Sequence, residues 1–114
     1  AEGPSFKSDW ERRTAAALTR LDVEWRYEAR RFAYRDWRGI VHDYIPDFEI
    51  PSWRVCIEVK GPNGADAAAE YKMRRVVADH RLALLLWLPL HIEMVEDASS
   101  AESLGGLRRS TLFH

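Results

Sequence analysis

Tyr44-Ile45-Pro46-Asp47-Phe48-Glu49-Ile50-Pro51-Ser52-Trp53-Arg54-Val55-Cys56-Ile57-Glu58-Val59-Lys60-Gly61 is the stretch on which the reading of this chain turns. Between Trp53 and Lys60 the residues alternate. Trp53, Val55, Ile57 and Val59 therefore share one face of a strand, and Arg54, Cys56, Glu58 and Lys60 share the other. The run from Tyr44 to Ile50 is also strand-like. A turn at Pro51 and Ser52 folds it back antiparallel, with Asp47 roughly opposite Glu58.

Two carboxylates facing each other across a strand pair, with side chains about 5 Å apart, repel unless a cation sits between them. A hard divalent ion suits such a site. Mg²⁺ takes oxygen ligands at about 2.0–2.1 Å and is usually held by one or two carboxylates together with waters and substrate phosphate. Lys60, two residues past Glu58, points the same way. Its side chain is placed to orient an attacking water or, as the neutral amine, to deprotonate it, and as the ammonium to neutralise charge building on a phosphoryl group.

Pro46-Asp47 followed by Glu58-Val59-Lys60 resembles the signature of the PD-(D/E)xK nuclease superfamily. The longer pattern is Phe6-Lys7-Ser8-Asp9-Trp10-Glu11, a helix, a strand pair, Tyr44-Ile45-Pro46-Asp47-Phe48 and Glu58-Val59-Lys60-Gly61. It is similar to the Holliday-junction-resolving endonuclease I family of phages and, more loosely, to transposon-encoded end-cutting nucleases. The likeness covers roughly the first two-thirds of the chain.

That resemblance implies an α/β restriction-endonuclease-like core with a mixed sheet, in the order helix, three antiparallel strands, helix, strand. Periodicity along the chain yields the same order. It further implies that Asp47, Glu58, the Val59 carbonyl and Glu11 hold one or two Mg²⁺ or Mn²⁺ ions while Lys60 acts on the water. The activity implied is a metal-dependent DNA endonuclease leaving a 5′-phosphate and a 3′-hydroxyl, with branched DNA, a four-way junction above all, as substrate. Two linked incisions across a junction favour a homodimer. The alternative is a nicking or end-cutting enzyme on ordinary duplex, directed by a targeting protein. From another class comes a non-catalytic DNA-binding module, against which the intact Asp47, Glu58 and Lys60 argue.

At 114 residues the chain is expected to form one domain over 1–114, with 1–5 and about 108–114 loosely ordered. Its 17 basic and 18 acidic residues leave a formal charge of −1, so a DNA-binding surface has to be a local patch. A single cysteine excludes an internal disulfide framework. With neither a signal-like segment nor a membrane-length apolar run, the expectation is a cytoplasmic protein, in the host cytoplasm if phage-encoded, without membrane contact.

Ser8-Asp9-Trp10-Glu11 opens a helix as a capping box, with Trp10, Thr14, Ala17, Leu18 and Leu21 as its apolar stripe. Local sequence alone makes Glu11 a cap; its role as metal ligand comes from the resemblance. Val23 to Tyr34 reads as a strand, Asp36-Trp37-Arg38-Gly39 as a turn, and Ile40 to Phe48 as the partner strand. This compact turn differs from the proline-containing bridge by which the phage enzymes exchange strands between subunits, and lets the hairpin close on itself. Ala65 to about His80 is a helix with Ala69, Met73, Val76 and Val77 inward. Leu82 to Leu88 is a buried strand parallel to its neighbour, and a short helix within 96–109 is broken by Gly105-Gly106.

Lys72 and Arg75, three apart on the second helix, are candidate phosphate contacts, and Lys7 and Arg38 complete the candidate DNA-binding set; Arg108-Arg109 could also reach DNA. His42, His80, His91 and His114 have no zinc-like spacing with Cys56, which reads as a small core residue. Of the five tryptophans, Trp10, Trp25 and Trp87 read as core, and Trp37, at a turn, is the one placed to stack on a base.

Overall fold

The computed structural model describes residues 5–108 and the backbone of residues 112–113. Most of the expected loose ends, with Arg109 and His114, lie outside the described residues. Helix α1 spans Asp9–Arg20, β1 Arg26–Tyr27, β2 Phe32–Arg35, β3 Val41–Tyr44, β4 Phe48–Ile50 and β5 Val55–Val59. Helix α2 follows over Ala67–His80, then β6 over Leu84–Trp87, α3 over Pro89–Asp97 and β7 over Leu112–Phe113.

Five strands form one mixed sheet in the order β1-β4-β5-β6-β7, while β2 and β3 pair as a separate hairpin. Strands β5 and β6 are parallel, joined through α2, and the remaining neighbours are antiparallel. Every residue of β5 is buried, as a strand covered on both faces must be. Val55, Ile57 and Val59 pack with Leu18 of α1 and with Ile92 and Val95 of α3. Cys56 faces the other way, toward Met73, Val76 and Val77 of α2 and Phe32 and Tyr44 of the hairpin. The result is a three-layer α/β domain, with α1 and α3 below the sheet and α2 and the hairpin above it.

Helices α1 and α3 are clamped together. Arg13 makes a bidentate pair with Glu96 at 2.8 and 2.6 Å. Arg20 donates to the Val95 and Glu96 carbonyls, where the negative end of the α3 dipole lies. No helix among the described residues is long and apolar enough to cross a membrane.

Strands β1, β4 and β5 run antiparallel in the main sheet, but the three strands the sequence suggests are cut differently. The expected strand from Val23 to Tyr34 is two strands, because Glu28 at φ 50° takes the left-handed conformation and turns β2 out of the main sheet. The expected strand from Ile40 to Phe48 is broken between Tyr44 and Phe48. Pro46 lies in the gap and has no N–H to give a ladder. Strand β3 therefore stays with β2, and β4 joins the main sheet.

The strand expected to begin at Trp53 begins at Val55. Pro51–Trp53 coils into a 3₁₀ turn and Arg54 is left-handed at φ 57°. Past Trp87, where only a tail with a late helix was expected, the chain builds α3 on Pro89, a 3₁₀ turn at Ala101–Leu104, and β7 on the edge of β6. The hairpin closes within one chain, with Arg35 opposite Val41 and Phe32 opposite Tyr44.

Candidate active site

The β4–β5 register pairs Phe48 with Ile57, so the residues one step further along, Asp47 and Glu58, stand across from each other. Directly opposed residues of an antiparallel pair project from the same face. Both carboxylates are buried, at 6% and 7% exposure. Asp47 Oδ2 accepts the Val59 backbone N–H at 2.7 Å, and the Asp47 carbonyl accepts the N–H of Glu28, the residue after β1, at 2.9 Å, so this residue is held from two sides. Glu58 Oε1 accepts the Tyr44 hydroxyl at 2.5 Å, and its Oε2 lies 3.6 Å from Lys60 Nζ. The Lys60 backbone N–H donates to the Trp87 carbonyl, which continues the β5–β6 pairing up to the lysine.

Burial pushes the Asp47 carboxyl up to about 8, and the charge of Glu58 and then Glu11 adds to it; the Val59 N–H and Lys60 oppose the rise. Glu58 is also raised by burial, against the pull of the Tyr44 hydroxyl, Lys60 and Lys72. Burial is the first cause of both shifts, so each carboxylate has lost hydration that a bound cation would replace. The pocket's donors are hard carboxylate oxygens, so the residues present fit Mg²⁺ or Mn²⁺.

Helix α1 brings Glu11 to the same end of the sheet. Ser8 caps the helix, its hydroxyl accepting the Glu11 N–H at 3.2 Å. The return bond of the capping box goes elsewhere: Glu11 Oε1 accepts from the Lys7 N–H at 3.2 Å and from the Tyr27 hydroxyl at 2.6 Å. Glu11 is buried, at 6% exposure. The start of α1 lies against the residue after Lys60, since a Cβ at Gly61 would meet the Trp10 ring at 3.3 Å. Among the described residues no three His, Cys, Asp or Glu side chains are gathered as a ready metal-ligand group. Asp47, Glu58 and Lys60 are thus brought together, while Glu11 stands apart on its own partners within electrostatic reach of Asp47.

The candidate DNA contacts are dispersed. Lys7 pairs with Glu28 at 2.6 Å and Arg38 with Asp36 at 3.0 Å. Lys72 Nζ lies 5.3 Å from the Tyr44 ring centre, facing the site, whereas Arg75 turns to Asp79 at 3.3 Å. Lys72 and Arg75 therefore do not form one phosphate cradle. Arg108 lies over Trp53.

Cys56 is buried, and burial raises its thiol to about 11, which suits a core residue and not a nucleophile. His42, His80 and His91 bond to Asp36, the Ala33 carbonyl and the Leu88 N–H respectively. Trp87 is fully buried and Trp10 and Trp25 pack at the margin of the core.

Two residues that the sequence reading passed over belong to this site. Tyr44 and Tyr27 each give a hydroxyl to one carboxylate, Glu58 and Glu11, from 14 and 16 residues away. Pairing at that separation follows no local pattern; the only signal is a tyrosine placed to face inward on each of two strands. No protein-family model, curated protein or solved structure matches this chain.

Proposed function

We propose that this protein is a divalent-metal-dependent endonuclease that hydrolyses phosphodiester bonds in DNA, with branched DNA such as a four-way junction as its substrate. The observation that carries this reading is the burial of Asp47 and Glu58 opposite each other on adjacent strands, with the Lys60 ammonium 3.6 Å from Glu58. The succession of α1, the antiparallel β1, β4 and β5, then α2 and the parallel β6 supports a restriction-endonuclease-like core. Fold alone does not specify chemistry, so the weight rests on the three side chains.

Asp47, Glu58 and the Val59 carbonyl would hold Mg²⁺ or Mn²⁺, with Glu11 as a further ligand. When bound, the ion supplies Lewis acidity and positive charge at the scissile phosphate. Lys60 orients the attacking water and faces the charge that builds on the phosphoryl oxygens. Water oxygen bonds to phosphorus as the P–O3′ bond breaks, one water proton passes through solvent to the departing 3′-oxygen, and the products are a 3′-hydroxyl and a 5′-phosphate.

The formal charge of −1 favours a second reading, nicking or end-cutting of ordinary duplex with a targeting protein supplying the affinity. Matched four-way junction, nicked duplex, linear duplex and single-stranded DNA, each incubated with Mg²⁺ or Mn²⁺, separate the two. Paired cuts near the branch support the junction enzyme. Nicks in linear duplex without junction preference support the second reading, and no metal-dependent cutting of any of them removes the unaided junction enzyme and leaves only a nuclease that needs its targeting protein.

A further inference from the structure

Trp37 sits at the tip of the β2–β3 hairpin with 80% of its surface exposed, more than any other large apolar side chain among the described residues. An indole left in water forgoes the stabilisation its burial would bring, and this one is not on a slack loop. Asp36 braces the tip: its carboxylate accepts the Arg38 and Ile40 backbone N–H groups at 2.8 and 3.0 Å. It also pairs with the Arg38 guanidinium at 3.0 Å and with His42 Nε2 at 2.8 Å. Gly39, at φ +84°, supplies the reversal that a side chain would resist. The Arg38 guanidinium lies 5.4 Å from the Trp37 ring centre, so a cation and a flat π surface are presented together.

The layer that carries this tip is the basic side of the molecule. Residues 29–44 and 66–81, the hairpin with its lead-in and α2 with both its caps, hold eight of the 17 basic residues and five of the 18 acidic ones. They are net positive within a chain of charge −1. The same layer reaches the candidate active site, because Tyr44 at the foot of β3 bonds Glu58. Strand β3 therefore runs from the carboxylates to the tip, a distance of roughly 15 Å at about 3.3 Å per residue plus the turn. That span corresponds to about four or five nucleotide steps of 3.4 Å.

We infer that the Trp37 hairpin is a nucleic-acid contact whose indole stacks on an unstacked base of DNA, at a branch, gap or single-stranded flank, roughly 15 Å from the scissile phosphate. The inference rests on the nuclease reading and specifies the DNA feature that reading leaves open. An indole accepts any base, since every base has a π face. In an uninterrupted duplex those faces are covered by neighbouring bases, so the contact distinguishes interrupted from continuous DNA. The basic layer supplies phosphate attraction for both.

The test compares Trp37→Ala and Trp37→Phe, both in a Lys60→Ala background that leaves the DNA intact, with that background alone. Binding is read by fluorescence anisotropy in Mg²⁺ on a four-way junction, a gapped duplex and a continuous duplex. A 2-aminopurine at the branch or gap reports stacking directly. Because Trp37 is exposed, its replacement leaves the fold in place.

Trp37→Ala is expected to weaken binding to junction and gapped DNA roughly tenfold, to leave continuous duplex unchanged and to abolish 2-aminopurine quenching, while Trp37→Phe retains most of each. Equal affinity of Trp37→Ala and the background on every DNA, or an equal loss on all three, overturns the stacking role and leaves the nuclease reading standing. No binding of any of the three DNAs by the Lys60→Ala background overturns the junction-nuclease reading and this contact with it.

Discussion

The Tyr44 hydroxyl donates to Glu58 Oε1 at 2.5 Å in the interior of the protein, fixing one oxygen of the carboxylate and leaving the other toward Lys60. Groups that orient a ligand in this way commonly account for tenfold or more of metal affinity. Tyr44→Phe should therefore weaken Mn²⁺ binding about tenfold in isothermal titration calorimetry. It should also lower unfolding free energy by about 1–3 kcal/mol, the cost of leaving a buried acceptor without its donor. Unchanged Mn²⁺ affinity would make Tyr44 a core residue only.

Burial pushes the folded Asp47 carboxyl up to about 8 from an ordinary value of 3.8, so without metal the native state keeps a proton that the unfolded chain has lost. Native protein binds more protons than unfolded between those limits, and stability falls as pH rises. The contribution is fully present below about pH 4 and has gone above about pH 8. In EDTA the melting temperature should drop from pH 5 to pH 8 more steeply in wild type than in Asp47→Asn, and Mn²⁺ should restore it at pH 8. A pH profile identical in the two proteins would show that Asp47 carries no such strain.

Glu11→Gln separates cap from ligand. Glutamine keeps an Oε1 acceptor for the Lys7 N–H and the Tyr27 hydroxyl, and the Ser8 cap uses only the backbone N–H of this position. Melting temperature should hold within a few degrees while Mn²⁺ affinity and DNA cleavage each fall about tenfold or more. If both are unchanged, Glu11 only anchors the Lys7 N–H and the Tyr27 hydroxyl and is no ligand.

Much of this arrangement is legible in the chain itself. Alternation from Val55 to Lys60 and the turn after Ile50 are enough to place Asp47 opposite Glu58, because strand register follows from side-chain period and turn position. What escaped detection lacked a local signal. Glu28 adopts a left-handed backbone without being glycine or asparagine, so the split between β1 and β2 leaves the alternation intact. Helix α3 opens on Pro89, has no Ser, Thr, Asp or Asn at its N-cap, and uses His91 to bond the Leu88 N–H. Only Ile92 and Val95 of α3 are buried, too short a stripe to announce a helix. The two tyrosines that hold the carboxylates are visible only once the strands are folded together.

Single-turnover cleavage of a four-way junction in Mg²⁺ or Mn²⁺ by wild type and by Lys60→Ala, with Mn²⁺ binding measured on both, decides whether Lys60 acts on water at a metal centre held by Asp47 and Glu58. Wild type should cut near the branch only when metal is present. Lys60→Ala should bind Mn²⁺ about as well as wild type and cut at least about 100-fold more slowly, the loss expected when a group acting on the attacking water is removed. Near-normal cutting by Lys60→Ala, or no metal-dependent cutting by wild type, would contradict a nuclease centre built on Asp47, Glu58 and Lys60.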